Sequence, residues 1–118
     1  MSLIFNQSVE VLRPKLVRDP YNPKRGTPSF DDPEVIAYPH LVSVQPVSTS
    51  EDSGRAGTLT TVFMLYTPIG FDIDLRAGDR VRVGGALVLD VDGTPMNWPD
   101  PFTGRVHHVE ARLKVIHG

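Results

Sequence analysis

The stretch Thr58-Leu59-Thr60-Thr61-Val62-Phe63-Met64-Leu65-Tyr66 decides the fold. It is rich in threonine, β-branched and aromatic residues, the composition of a pleated, half-buried strand. Side chains alternate across a strand. Leu59, Thr61, Phe63 and Leu65 therefore share one face, and Val62, Met64 and Tyr66 share the other. Both faces are largely apolar, which predicts a strand covered on both sides and central in its sheet.

The same period of two continues on either side. Downstream, Gly78-Asp79 marks a turn, and two apolar runs, 80–83 and 86–91, flank Gly84-Gly85. Paired glycines between apolar runs predict a tight hairpin, because primed turns need positive φ. The expected register sets Val81 and Val83 opposite Val88 and Ala86, with Leu87, Leu89 and Val91 on the reverse face. Asp92-Gly93-Thr94-Pro95 is the next turn. Residues 106–116 fit a helical stripe through Val106, Val109, Leu113 and Ile116. They also fit a strand with Val109, Ala111, Leu113 and Val115 inward and His108, Glu110, Arg112 and Lys114 in water. The β-branched content and the preceding Gly104 favour the strand. Upstream, 41–47 is a further strand, and Val9 and Val11 alternate with Glu10 in a first strand that ends at Pro14. About six short strands separated by turns predict an all-β fold, a small β-barrel or sandwich, in one domain over residues 1–118.

Two segments stand outside that pattern. Of the eleven prolines, seven precede residue 50, and Pro14, Pro20, Pro23, Pro28, Pro33 and Pro39 punctuate residues 14–39. Proline lacks an N–H and interrupts regular pairing, so this stretch reads as a long irregular arm. Its start is basic, with Arg13, Lys15, Arg18, Lys24 and Arg25 against Asp19. Its second half is acidic, with Asp31, Asp32 and Glu34. Such segregated charge either keeps an arm solvated or steers docking between complementary surfaces. The second segment, 48–57, is small and polar and reads as a flexible loop between two apolar strands.

Composition removes several function classes. With 118 residues, 40% apolar and 22% charged, the chain suits one globular core. A net charge of −2 carries no basic surplus for a dedicated nucleic-acid binder. There are no cysteines, which excludes disulfides, thiolate metal sites and a cysteine nucleophile. Folding in a reducing cytosol is expected. Leu3, Ile4 and Phe5 are too short an apolar run for a signal peptide, and no stretch approaches a membrane span.

No catalytic constellation emerges. His107 and His108 are adjacent, and adjacent strand residues point to opposite faces, so they are expected not to chelate one metal. Asp90-Val91-Asp92-Gly93 lacks the further acidic positions of a calcium loop and reads as a turn. Asp72 and Asp74 read as solvated loop charges beside Gly70. No serine sits in a nucleophile elbow, and no phosphate or dinucleotide fingerprint occurs. The expectation is a non-enzyme without cofactor or metal.

The order of these pieces resembles a known family. A strand ends in Arg13-Pro14, followed by Asp19-Pro20-Tyr21, Val44-Gln45-Pro46 and a Ser/Glu/Asp loop closed by Arg55. Then come the quoted strand, Pro68, Gly70, Ala77-Gly78-Asp79-Arg80-Val81 and the Gly85 hairpin. Gly93-Thr94-Pro95, Trp98 and Pro101-Phe102-Thr103-Gly104 precede the last strand. From about Ser8 to the end, this is similar to the head-to-tail stoppers of long-tailed phages infecting actinobacteria. The resemblance implies a small β-barrel with long extensions. It implies a homo-oligomeric ring, six-fold favoured and twelve-fold possible, in the virion neck. The ring, assembled in the host cytoplasm, would sit between the portal and adaptor and the tail terminator or tail tube. Packaged double-stranded DNA would pass through its lumen, with no membrane involved.

The resemblance makes Ser48, Glu51, Asp52 and Arg55 the channel-loop candidates. On the arm, Arg13, Lys15, Arg18, Tyr21, Lys24, Arg25, Asp31, Asp32 and Glu34 are the partner-interface candidates. Two alternatives accompany it: another small neck or tail protein such as a tail terminator, or a small-barrel module for single-stranded nucleic acid. The latter needs stacking aromatics interleaved with basic residues, and Trp98, Phe102, Tyr21 and Tyr38 are not so placed in the sequence.

Overall fold

A computed structural model describes residues 4–47 and 61–116. Among the described residues there is no helix, and eight strands form one antiparallel sheet. They are β1 (Val9–Asp19), β2 (Asn22–Ala37), β3 (Ser43–Val47), β4 (Val62–Tyr66), β5 (Arg80–Val83), β6 (Leu87–Val91), β7 (Met96–Pro99) and β8 (Val106–Val115). The spatial order is β2-β1-β5-β6-β8-β4-β3, with β7 alongside β8. The all-β expectation holds, and residues 106–115 are a strand rather than a helix.

The six expected strands correspond to β1, β3, β4, β5, β6 and β8, and these build the body. Alternation puts Val9 and Val11, Val44, Leu65, Val81 and Val83, Leu89 and Val91, and Val109, Ala111 and Leu113 into one shared core. A sheet whose inward face is apolar on every strand lowers its exposed area by curling. The curl brings the two ends of the body together, where Gln7 and Val42 exchange hydrogen bonds of 3.1 and 2.8 Å. That single bridge replaces a full strand pairing, so the sheet is neither a closed barrel nor a two-sheet sandwich. One open end is filled by the loop after β4. Thr67, buried, donates to the Phe71 carbonyl and accepts from the Val109 N–H, both at 2.8 Å. This holds Ile73 and Leu75 in the core.

Three sequence expectations need correction. The stretch 14–39 is not irregular: β1 continues past Pro14 to Asp19, and β2 runs back beside it as a two-stranded ribbon. β2 ends the strand order, and an edge strand tolerates prolines that a central strand rejects. Pro14 itself falls where the register shifts between Arg13 and Lys15. The strand count therefore rises to eight, the other unforeseen member being β7 between Pro95 and Pro101. The quoted strand is paired on both sides, by β3 and β8, over its described part.

The third correction concerns the glycine hairpin. Gly84 and Gly85 do take positive φ, 61° and 75°. However, Ala86 joins the turn by donating to the Val83 carbonyl at 3.2 Å. Val83 then pairs with Leu87 and Val81 with Leu89. A one-residue slip inverts every side chain of a strand, so Leu89 and Val91 face the core and Val88 faces out. The register gives a direct expectation for chemical denaturation. Leu89→Ala, which empties a fully buried site, costs about 3 kcal/mol, whereas Val88→Ala costs about 1 kcal/mol or less. Equal losses, or the reverse order, contradict this register.

Candidate functional site

The ribbon leaves the body at Arg13. The Arg13 guanidinium donates from Nε to Asp79 Oδ1 at 3.2 Å and from Nη2 to Asp79 Oδ2 at 3.0 Å. Nη2 also reaches the Asp74 carbonyl at 3.0 Å. Asp79 is buried and accepts a third bond, from the Arg76 N–H at 2.9 Å. The hydrogen bond from Arg13 to Asp79 raises the guanidinium pKa, against a smaller opposing effect of burial. A forked, charge-assisted contact of this kind fixes direction as well as position. Arg13 is therefore committed inside the molecule, at the ribbon's root, rather than displayed on it.

Beyond the root, the pairs Lys15–Ser29, Leu16–Pro28, Val17–Thr27 and Arg18–Gly26 carry the ribbon outward. Leu16 lies so close over Gly26 that a β-carbon there would meet Leu16 Cβ at 3.0 Å. At the tip, Asp19 Oδ1 accepts from the Tyr21 N–H at 2.9 Å, and Asn22 Oδ1 accepts from the Lys24 N–H at 3.2 Å. Leu16, Val17 and Tyr21 are 71, 56 and 95% exposed. The radius of gyration is 16.4 Å, against about 13.5 Å for a compact chain of this length.

Near the root, β2 carries a bulge. Arg13 is opposite Glu34 but Lys15 is opposite Ser29, so Phe30, Asp31, Asp32 and Pro33 face a single residue, Pro14. Bulges of this kind re-aim side chains. Here Phe30 turns to the body, its ring 4.0 Å from the Arg80 guanidinium carbon. Asp31 and Asp32 are left exposed, and Asp32 meets Lys15 Nζ at 3.3 Å. Arg18, Lys24 and Arg25 at the tip, and Asp31 and Glu34 near the bulge, form no ion pair among the described residues. The body treats its charges differently. Its outer face pairs them across strands: Glu10 with Arg82 at 2.9 Å, Arg80 with Asp90 at 2.9 Å, and Asp92 with Arg112 at 3.3 Å. The Arg82 guanidinium, hydrogen-bonded to Glu10, holds that carboxyl below its ordinary range. Arg76 does the same to Asp74, with a further contribution from Arg13. The loop candidates Ser48, Glu51, Asp52 and Arg55 lie outside the described residues.

The histidine expectation also changes. Trp98 pairs with His108 but Pro99 pairs with Val106, so His107 is an extra residue bulged out of β8. The bulge cancels the alternation and sets the two Nδ1 atoms 2.7 Å apart. Trp98 stacks on His108 with centroids 6.4 Å apart, and Glu110 Oε1 lies 3.8 Å from His108 Nε2. Among the described residues no group of three or more His, Asp or Glu is placed to hold a metal ion. The pair does satisfy itself as donor and acceptor. Nitrogen NMR at neutral pH is expected to show unlike tautomers, one ring with a proton on Nδ1 and the other on Nε2. Two rings protonated alike on Nε2 contradict the contact.

One exposed residue had a signal that sequence reasoning did not use. Phe102, 95% exposed, crowns the β7–β8 turn, where its N–H donates to Asp100 Oδ1 at 2.8 Å. Asp100-Pro101-Phe102 repeats the Asp19-Pro20-Tyr21 device at the ribbon tip. Each aspartate side chain closes the turn, and each aromatic is held out in water.

Comparison with known proteins informs the fold. No family model matches the chain, and no curated protein matches it. It is similar to protein SF1141 from Shigella flexneri 2a, known from a solution structure. The identity is 20%, the match covers 94% of this chain and 92% of that one, and the TM-score is 0.56. At that identity the likeness shows a shared fold and nothing about activity.

Proposed function

We propose that this chain is a structural subunit of a phage neck, a head-to-tail stopper that forms a ring between the portal and adaptor and the tail. The observation that carries this reading is the ribbon. A chain of this size gains little for its own core from a strand pair whose described distal side chains are largely exposed. Leu16, Val17 and Tyr21 are instead available to another molecule. Tyrosine and arginine are among the usual anchors of a protein interface, and exposed aliphatic neighbours add apolar area that a partner can bury. The order of sequence pieces, from Arg13-Pro14 to Gly104, supports the same reading by resemblance.

In this role the curled sheet is a spacer and the ribbon a grip. Rings close when one patch of a subunit fits a different patch of its neighbour and the rotation returns to the start. The lumen would face packaged DNA, and a chain with net charge −2 suits a surface along which DNA slides rather than sticks. Channel-loop roles for Ser48, Glu51, Asp52 and Arg55 belong to this proposal. Trp98 neighbours His107, His108 and Glu110, while Tyr21 and Phe102 crown two different turns. Of these three, Tyr21 alone stands among several cations, Arg18, Lys24 and Arg25, so the aromatics do not interleave with basic residues along one groove as the single-stranded nucleic-acid alternative needs.

Gold-labelled antibody against the chain, applied to purified particles, tests the proposal. Label concentrated at the head–tail junction is expected. Label absent from particles, or spread along the tail, overturns it.

A further inference from the structure

Charge on the ribbon is unevenly distributed along its length, with one opposite charge at each end: Asp19 at the tip, and Lys15, paired with Asp32 at 3.3 Å, beside the bulge. Arg18, Lys24 and Arg25 lie at the tip, and Asp31, Asp32 and Glu34 lie at and beside the bulge. Along β2, Lys24 and Arg25 are separated from Asp31, Asp32 and Glu34 by six to ten residues, or about 20–33 Å at the rise of a strand. Chains that use charge only for solubility intersperse the signs. The body of this protein pairs its charges at 2.9–3.3 Å, whereas the tip cations have no such partner among the described residues. Arg18 is set opposite Gly26, a residue with no side chain to meet it.

The apolar residues lie within this charge pattern. Tyr21 occupies the tip among the cations, Leu16 and Val17 lie between the tip and the bulge, and Val35, 49% exposed, lies beside Glu34. The ribbon thus carries two unlike half-sites, a cationic aromatic tip and an anionic shoulder with an apolar residue. Each complements the other, so the surface that best fits a ribbon is another ribbon.

We infer that the ribbon docks onto the ribbon of a second copy of this chain, the Tyr21 tip of one against the Asp31–Asp32 bulge of the next. The contact is made by side chains and not by strand addition. β2 would be the edge to extend, and Pro23, Pro28 and Pro33 leave gaps in its row of N–H donors. Proximal charge pairs of this kind accelerate encounter and set register, and the exposed apolar residues supply the buried area.

The inference deepens the ring reading by naming one contact within it, but its test is separate from the antibody experiment. Two variants reverse one half-site each: Lys24→Glu with Arg25→Glu, and Asp31→Lys with Asp32→Lys. All four positions are exposed, so circular dichroism should match the unaltered chain. In sedimentation velocity at low ionic strength, the unaltered chain self-associates, and each variant alone does so about tenfold more weakly or worse. An equimolar mixture of the two recovers association, because the acidic tip of one variant meets the basic bulge of the other. Raising salt to about 1 M, where the screening length falls to about 3 Å, weakens the unaltered contact. Variants that associate like the unaltered chain, or a mixture no stronger than either component, overturn the ribbon contact and leave the neck assignment standing. An unaltered chain that stays monomeric overturns it too, whereas particles without neck label remove the ring and not a measured self-association.

Discussion

The pairing of Arg13 with the buried Asp79 carboxylate is the constraint on which the rest of the structure depends. Asp79 begins the run into β5, and its backbone accepts from the Val91 N–H at 3.0 Å at the end of β6. Its side chain receives Arg76 from its own turn and Arg13 from β1. One residue therefore joins the β5–β6 hairpin, the turn beneath it and the strand that becomes the ribbon. A carboxylate removed from water is tolerated only when its oxygens are hydrogen-bonded and its charge is met. Here both conditions are satisfied by groups whose positions matter elsewhere. The same interaction that makes burial tolerable also sets the direction in which the ribbon leaves the body.

The body and the ribbon obey different rules because they bury different amounts. In the body every strand contributes alternate apolar side chains to one core, so burial drives the curl and the Gln7–Val42 bridge merely joins its ends. In the ribbon almost nothing is buried beyond Arg13, and isolated strand pairs are marginal in water. Its persistence rests on the Arg13 fork and Phe30 packed under Arg80 at the root and, farther out, on Leu16 lying across Gly26. Turn chemistry then finishes the tip, with Asp19 and Asn22 capturing backbone N–H groups. A ribbon built this way has a defined geometry at both ends while leaving its middle faces free for another molecule.

Most of the body was legible from periodicity. Val9 and Val11, Val81 and Val83, and Val109, Ala111 and Leu113 each alternate with charged or polar residues, and each run became a strand. What was not legible depended on pairing between distant residues. β2 and β7 contain or adjoin prolines, and only their place on an edge makes those prolines acceptable. The hairpin register depended on whether Ala86 joined the turn, a choice worth one residue and a full inversion of faces. The contact between His107 and His108 depended on a bulge created by the β7 register. Arg13 looked like one arm cation among several, because its partner lies 66 residues away.

The account is tested most directly by a double-mutant cycle at the ribbon's root, comparing Arg13→Met, Asp79→Asn and the combined chain by urea denaturation. A coupling of about 1.5–3 kcal/mol is expected, the range for hydrogen bonds to a charged group removed from water. Losses that add to within about 0.5 kcal/mol would mean that the two residues act independently. That result would contradict a ribbon fixed to the body through this pair.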